Sequence, residues 1–404
     1  MRARTGVWLI GAGGNVGTMT IVGARAIARG LAGRTGLVTE LKELRELPLC
    51  PIEDLVFGGH ELSGRPLAEA AREFGRRAGI FTDRLLDALA EDLERVQAEI
   101  RPGHTDRPVR SIDGRRRSDE SPREGIEAIQ RDLREFQERN GLRDVVVVNV
   151  ATTEALPGEH PEWSSLTGLS AALDAGRSGA FPSSLLYAYA AIDAGYPYVN
   201  FTPSAGSSSP ALDELARARG TVHTGRDGKT GETLVKTTLA PLFAYRNLKV
   251  HAWEGYNMLG NADGEALRDP EKRLSKCTTK DRSLHAILKD QSGHSSVHID
   301  FVPSLDDWKV AYDYIHFEGF LGARMAMQFT WQGCDSALAA PLVLDLARLA
   351  ALSHARGESG ALEHTACFFK DPFGVDVHGF TDQFELLRSY VSTVRKEGAK
   401  ARSA

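Results

Sequence analysis

Val7-Trp8-Leu9-Ile10-Gly11-Ala12-Gly13-Gly14-Asn15-Val16-Gly17, together with the residues that follow to 29, is the stretch that decides the fold. Positions 7 to 10 form an uninterrupted apolar run, as a strand buried on both faces requires. From 16 to 29, Val16, Met19, Val22, Ala26 and Ile27 recur along one side of a helix. Strand, glycine turn and helix therefore follow one another directly. Gly11, Gly13 and Gly17 take the outer positions of a GxGxxG-like spacing, with Gly14, Asn15 and Val16 between them. Glycine permits the tight turn and lets backbone N–H groups close on a pyrophosphate, while the positive end of the helix dipole favours the anion. The turn reads as a dinucleotide site rather than a plain glycine-rich loop. An acid that accepts from the ribose is expected about 20 residues later. Glu40 is nearest, and Glu61, after the next strand-like segment and Gly58-Gly59, is the alternative. Either carboxylate would bond a 2′-hydroxyl and repel a 2′-phosphate, so NAD⁺ is expected over NADP⁺.

Further buried-strand runs lie at 55–57, 145–150 and 198–201, separated by helical stretches around 65–100, 125–140 and 183–194. That alternation predicts an α/β fold with a mostly parallel sheet covered on both faces. Residues 102–124, rich in Arg, Asp, Ser, Pro and Gly, have little to bury and read as a solvated loop. After about 240 the pattern changes to strands at 248–253, 297–301 and 312–318, more consistent with a separate sheet. Helical periodicity returns over 336–355, where Leu338, Leu342, Leu346 and Leu349 share a face and can lead the chain back to the first domain.

Composition excludes several classes. The 404 residues carry 49 Lys plus Arg against 54 Asp plus Glu, a net charge of −5, so no positive field draws nucleic acid or an anionic membrane. The four cysteines, Cys50, Cys277, Cys334 and Cys367, are widely spaced with no CxxC pair, which argues against a zinc ribbon or a disulfide framework and for a reducing, cytoplasmic setting. The basic start before the first apolar run resembles a secretory signal only superficially, because the run is short and breaks into glycines. With no long uncharged apolar run and a mean hydropathy of −0.26, a soluble protein is expected. His294 and His298 sit in a strand-like segment, where ladder or solvent contacts are the simpler reading than metal ligation, and no metal site is expected. GKTGET at 228–233 lacks the upstream glycine and terminal Lys-Ser/Thr of a P-loop, which removes a nucleoside triphosphatase from consideration.

Ten segments in order resemble the myo-inositol-1-phosphate synthase family: GAGGNVG (11–17), VFGGHEL (56–62), ATTE (151–154), YVNFTPS (198–204), DGKTGETLVKT (227–237), YNMLGNADGEAL (256–267), SKCTTK (275–280), DDWKVAYD (306–313), CDSALAAPLVLDL (334–346) and FFKDPF (368–373). The resemblance implies a discontinuous Rossmann-like NAD-binding domain, residues 1–233 and 339–404, and an inserted α+β catalytic and oligomerisation domain, 234–338, in a homotetramer. It further implies an isomerase that uses NAD⁺ without consuming it. Glucose 6-phosphate is oxidised at C5, enolised toward C6, closed by aldol addition to C1 and reduced again at C5 to give 1D-myo-inositol 3-phosphate.

By that resemblance Lys276, Lys280, Lys309 and Lys370 are the catalytic cations, with Asp307 beside them. Lys276 and Lys280, four apart, would share a helix face and repel unless an anion lay between them. Lys370 follows Phe368-Phe369, an apolar setting suited to proton transfer at the C5 oxygen. Asn257, Asn261 and Asp263 match the loop that holds sugar hydroxyls, and Thr230, Gly231, Glu232 and Thr233 the loop that holds the phosphate. Ala151, Thr152, Thr153, Asp227, Asp335 and Ser336 match the cofactor side, with Glu61 where the family has a ribose-binding Asp. Glu232 replaces the customary Gln, which sets a carboxylate near an expected dianion unless its side chain points away; Ala262 replaces Asn, and Leu234 replaces a common Lys. These departures keep open a related cyclase acting on another sugar phosphate, and the glycine turn by itself is equally consistent with an NAD-dependent sugar or cyclitol dehydrogenase.

Overall fold

The computed structural model describes residues 4–105, 121–154, 158, 160–176, 181–261, 264, 284–289 and 293–403. Its strands are β1 (Thr5–Ile10), β2 (Leu55–Glu61), β3 (Ile100–Pro102), β4 (Asp144–Asn149), β5 (Tyr198–Asn200), β6 (Val222–Gly225), β7 (Lys249–Leu259), β8 (His294–Phe301), β9 (Trp308–Glu318), β10 (Arg324–Cys334) and β11 (Gly360–Ala361). The chain divides into two compact units, Met1–Asp227 with Ala340–Glu363, and Gly228–Ala339 with His364–Ala404.

In the first unit a seven-stranded sheet runs in the order β11-β6-β5-β4-β1-β2-β3, with every pairing parallel. β1 and β4 are buried throughout, which is why they read as continuous apolar runs. The chain steps from β1 outward to β3 and then returns to the other flank of β1 at β4. The glycine turn after β1 therefore lies where the strand order reverses, the place at which doubly wound sheets bind ligands. The expected helical stretch at 65–100 is three helices, Leu67–Ala78, Asp83–Ala88 and Ala90–Gln97. Residues 106–120 of the expected loop lie outside the described residues. Its end is already helical, because Ser121 and Glu124 form a capping box that starts Pro122–Asn140 ahead of the anticipated position.

The helix Asp335–Ala355 has the length and hydropathy of a membrane span, yet most of it is buried within the protein. Midway along it Asp345 accepts from Val38 N at 2.6 Å, and Arg348 donates to Thr39 Oγ1 and to the Cys50 carbonyl, each at 2.8 Å. Charged groups satisfied by protein partners mark a core helix of a globular unit.

In the second unit a mixed sheet runs β10-β9-β7-β8, with β7 and β8 parallel and the other pairs antiparallel. The helix Glu232–Tyr245 lays Ala240 and Phe243 against Val250, Trp253 and Ile315 on one face of that sheet. The unit boundaries differ from the expected ones. The chain leaves the first unit at Asp227 rather than 233, and only Ala340–Glu363 of the expected 339–404 return belongs there. His364–Ala404 groups with the second unit around a buried lysine. Lys229 donates through Nζ to Gln383 Oε1, lies 5.8 Å over the Phe380 ring, and donates its backbone N–H to Phe368 O at 2.8 Å. An ammonium out of water costs several kcal/mol unless partnered, so the tail that supplies Gln383 is held with it. Burial pushes the Lys229 ammonium down to about 8, and the charge of Lys370 acts in the same direction.

Candidate active site

The glycine turn is built by close backbone approaches. Gly11 has φ +87, and a Cβ on Gly17 would stand 2.6 Å from Gly11 O and 2.7 Å from Ala12 O, so the first turn of Asn15–Ala28 can close on the strand end only with glycine there. A Cβ on Gly11 would meet the Ala151 backbone at 2.9 Å, which puts the start of the Ala151, Thr152, Thr153 segment beside the turn. Glu61, at the end of β2, accepts from Gly13 N at 2.7 Å, Leu62 N at 2.8 Å and Ser63 N at 2.9 Å. Glu61 is therefore the acid at the turn. Glu40 is not: it sits in a short 3-10 turn and pairs with Arg34 at 3.1 Å. Asp227, at φ +61 just beyond β6, donates its backbone N–H to Thr202 O at 3.0 Å. An open cradle of backbone, a helix start and a carboxylate at the end of the second strand fit a dinucleotide.

In the second unit the expected phosphate loop leads into the helix Glu232–Tyr245. Lys309 Nζ lies 2.6 Å from Asp335 Oδ1 and donates to Thr230 Oγ1 at 3.2 Å, while Thr230 Oγ1 donates to Asp335 Oδ1 at 2.8 Å. Burial opposes the Asp335 charge, but the Lys309 ammonium, the Thr230 hydroxyl and the charge of Lys370 hold its carboxyl below the usual range. Asp335, expected on the cofactor side, is thus a partner of the lysine cluster. Asp307 accepts from Ser336 N at 2.8 Å, Ser336 Oγ at 3.0 Å and Cys334 Sγ at 3.1 Å, and so caps the helix Asp335–Ala355. Burial and that carboxylate push the Cys334 thiol up to about 12. Asn261 donates to Asp307 Oδ1 at 3.4 Å and accepts from Gly264 N at 3.0 Å, and Asn257 donates to His298 O at 3.4 Å. Phe368 and Phe369, before Lys370, are buried. Lys276, Lys280, Ala262 and Asp263 lie outside the described residues.

Glu232 does point away. Its carboxylate lies 2.8 Å from Lys236 Nζ, which is 3.5 Å from Asp313 Oδ1, and Asp313 Oδ1 accepts from Trp253 Nε1 at 2.8 Å. All three charged residues are buried, Glu232 and Lys236 on the helix and Asp313 on β9. His294 and His298 face Glu254 at 3.0 and 3.6 Å.

The sequence model of the myo-inositol-1-phosphate synthase family matches residues 5–392. The chain belongs to this family. It is 31% identical over 402 residues to inositol-3-phosphate synthase 1 of Bacteroides thetaiotaomicron, covering 95% of this chain and 91% of that one. It is 32% identical over 405 residues to the inositol-3-phosphate synthase of Trypanosoma brucei brucei, covering 87% and 73%. Among solved structures, the inositol-3-phosphate synthase of Caenorhabditis elegans superposes with a TM-score of 0.84 at 23% identity, over 97% of this chain and 86% of that one. A myo-inositol-1-phosphate synthase-related protein of Thermotoga maritima gives 0.78 at 23% identity, over 96% and 98%. At that identity the structural likeness speaks for the fold.

As a member of an NAD-binding family, the chain takes NAD as its cofactor, and the glycine turn gives a sharp expectation. A Cβ on Gly13 would meet the Glu61 carboxylate at 2.9 Å. Gly13→Val should push Glu61 off the turn and lose NAD⁺ binding in calorimetry, while the parent binds NAD⁺ and binds NADP⁺ more weakly. Unchanged NAD⁺ affinity in the folded variant would remove the turn from the cofactor site. The pattern of the sequence did not single out Lys229, which donates to Gln383, Lys236, which pairs with Glu232, or Trp331, whose indole Nε1 lies beside Gly231. Glu232 and Lys236 at i and i+4 were the available signal for the first helical turn.

Proposed function

We propose that this family member is an inositol-3-phosphate synthase, converting D-glucose 6-phosphate to 1D-myo-inositol 3-phosphate. When bound, NAD⁺ supplies reversible hydride transfer at C5. The residues Gly11 to Gly17, Glu61, Ala151 to Thr153 and Asp227 hold it. Thr230, Gly231 and Thr233 hold the phosphate with hydroxyl and N–H groups at a helix start, and Asn257, Asn261 and Asp263 orient the sugar hydroxyls. Lys309, with Lys276, Lys280 and Lys370, stabilises the oxyanions that develop during enolisation and ring closure. Asp335 fixes the Lys309 ammonium, and Asp307 fixes the strand and helix from which Lys309 and Asp335 project.

The observation that carries this reading is the Lys309, Thr230 and Asp335 cluster at the start of the helix Glu232–Tyr245. A cation, the Thr230 hydroxyl and a helix N-terminus suit a phosphorylated substrate that passes through oxyanions. Glu232, turned onto Lys236, does not oppose the dianion at close range. The test is incubation with glucose 6-phosphate and a small amount of NAD⁺, with NMR of the product. Many equivalents of an inositol phosphate without a matching rise in NADH support the synthase; NADH formed one for one with an oxidised sugar would mean a dehydrogenase.

A cytoplasmic homotetramer joined through the second unit's sheet completes the reading. Tyr256, Trp308 and Met325 are exposed on or beside that sheet, and among the described residues Cys50, Cys334 and Cys367 form no disulfide. A monomer mass in light scattering at micromolar concentration would overturn the assembly.

A further inference from the structure

Trp331 lies on β10, two residues beyond Phe329, which packs on the core between the sheet and the helix Glu232–Tyr245. Alternation along the strand keeps Trp331 on that same face, opposite Ala311 of β9 and next to the Lys309–Gly333 pair. Among the described residues its indole Nε1, which is buried, has no hydrogen-bond partner. The hydroxyl of Thr233, a residue only 2% exposed, is likewise buried and unpartnered. Buried donors left unmade are costly, and native structures keep few of them.

Both belong to one small region. A Cβ on Gly231 would stand 3.2 Å from Trp331 Nε1, 3.2 Å from Lys309 Nζ and 2.8 Å from Lys309 Cε. The two nitrogens thus flank the bare side of Gly231, at the residue before the helix, and only glycine leaves that side open. The first N–H groups of the helix have no intrahelical acceptor. Asp335 already engages Lys309 and Thr230. Glu232, whose carboxylate has no hydrogen to give, is turned onto Lys236. Among the described residues at this helix start, the donors not already engaged are the Trp331 indole, the Thr233 hydroxyl and the backbone of the first turn.

We propose that Trp331 is a substrate-binding residue whose indole N–H donates to the phosphate group of the sugar phosphate. The inference rests on the phosphate-loop reading of Thr230 to Thr233. A neutral donor adds direction without further positive charge, which suits a site where Lys309 is already balanced by Asp335 and the substrate brings two negative charges.

Trp331→Phe keeps the ring and removes the donor. With the NAD-loaded, full-length protein, calorimetry should show inorganic phosphate binding weakened about tenfold or more, as for a lost hydrogen bond to a charged group. The KM for glucose 6-phosphate should rise by a similar factor with kcat little changed and NAD⁺ affinity intact. Equal phosphate affinity in parent and variant would overturn the proposal. A loss confined to glucose 6-phosphate, with inorganic phosphate unaffected, would also overturn it, by placing the indole on the sugar. If the variant fails to fold, the parent still decides: of the five tryptophan indole N–H resonances, one should move downfield on adding inorganic phosphate, and five unmoved signals contradict the assignment. A parent that binds phosphate in this Trp331-dependent way yet forms no inositol phosphate would leave this inference standing and sink the synthase reading instead.

Discussion

Lys309→Ala is expected to slow cyclisation of glucose 6-phosphate by roughly a hundredfold or more while NAD⁺ binding stays near that of the parent. A preorganised charge at a developing oxyanion supplies about 3 to 4 kcal/mol, which is the loss the substitution should register. The geometry makes Lys309 hard to replace. Its stem passes so near the bare side of Gly231 that a Cβ there would stand 2.8 Å from Cε, and its ammonium is fixed between Asp335 Oδ1 and Thr230 Oγ1. Lys309→Arg should therefore rescue poorly, since the planar guanidinium is larger and cannot exchange a proton near neutral pH. Steady-state kinetics on folded variants check this; near-parental turnover in Lys309→Ala would make the lysine a structural partner of Asp335 and nothing more.

The second large effect is on stability. Glu232, Lys236 and Asp313 place two carboxylates and one ammonium in the core of the second unit, with Trp253 Nε1–H as a further donor to Asp313. Lys236→Met should destabilise the fold by about 3 to 5 kcal/mol, because it strands two buried carboxylates without a counter-ion. Glu232→Gln should be tolerated far better, since it removes the excess negative charge and leaves Lys236 paired with Asp313. Burial and the Glu232 charge push the Asp313 carboxyl up to about 6 against the pull of Lys236 and the Trp253 indole. A raised acid binds its proton more tightly in the folded state than in the unfolded one, where 3.8 is the reference. Its stabilising share is therefore full below about 4 and is lost as pH rises through about 6. Denaturant unfolding across that window should show a shallower decline in Asp313→Asn than in the parent, the remainder coming from Asp345, whose carboxyl burial pushes up to about 7. A Lys236→Met variant as stable as the parent would mean that the carboxylates take up protons at little cost.

What the sequence made legible follows from which constraints are local. The strand, glycine turn and helix at 7 to 29 could be read because a parallel strand buried on both faces must be apolar throughout and the turn tolerates little but glycine. The ribose acid was ambiguous for a physical reason. The usual spacing assumes that the second strand follows the first helix closely, whereas here the chain makes an excursion with 3-10 turns at Val38–Glu40 and Ile52–Asp54 before β2 begins at Leu55. The acid at the end of that strand is consequently Glu61. The destination of Phe380–Ser403 was not legible, because it depends on Lys229 finding Gln383, 154 positions away. Nor could Glu232 be oriented from sequence, since the pairing that turns it inward is completed by Asp313 on β9. Trp331 gave no signal at all: an aromatic on a strand reads as core until the partner of its N–H is sought.

In the proposed reaction, oxidation and reduction fall on the same carbon of the same molecule, with no net change in the cofactor. The test is glucose 6-phosphate carrying deuterium at C5, turned over by the NAD⁺-loaded enzyme with unlabelled NADH in solution. The inositol phosphate should retain the deuterium on the carbon derived from C5, because the hydride removed is returned before the cofactor leaves. Product with that position washed out to hydrogen, or deuterium accumulating in free NADH alongside an oxidised sugar, would contradict it.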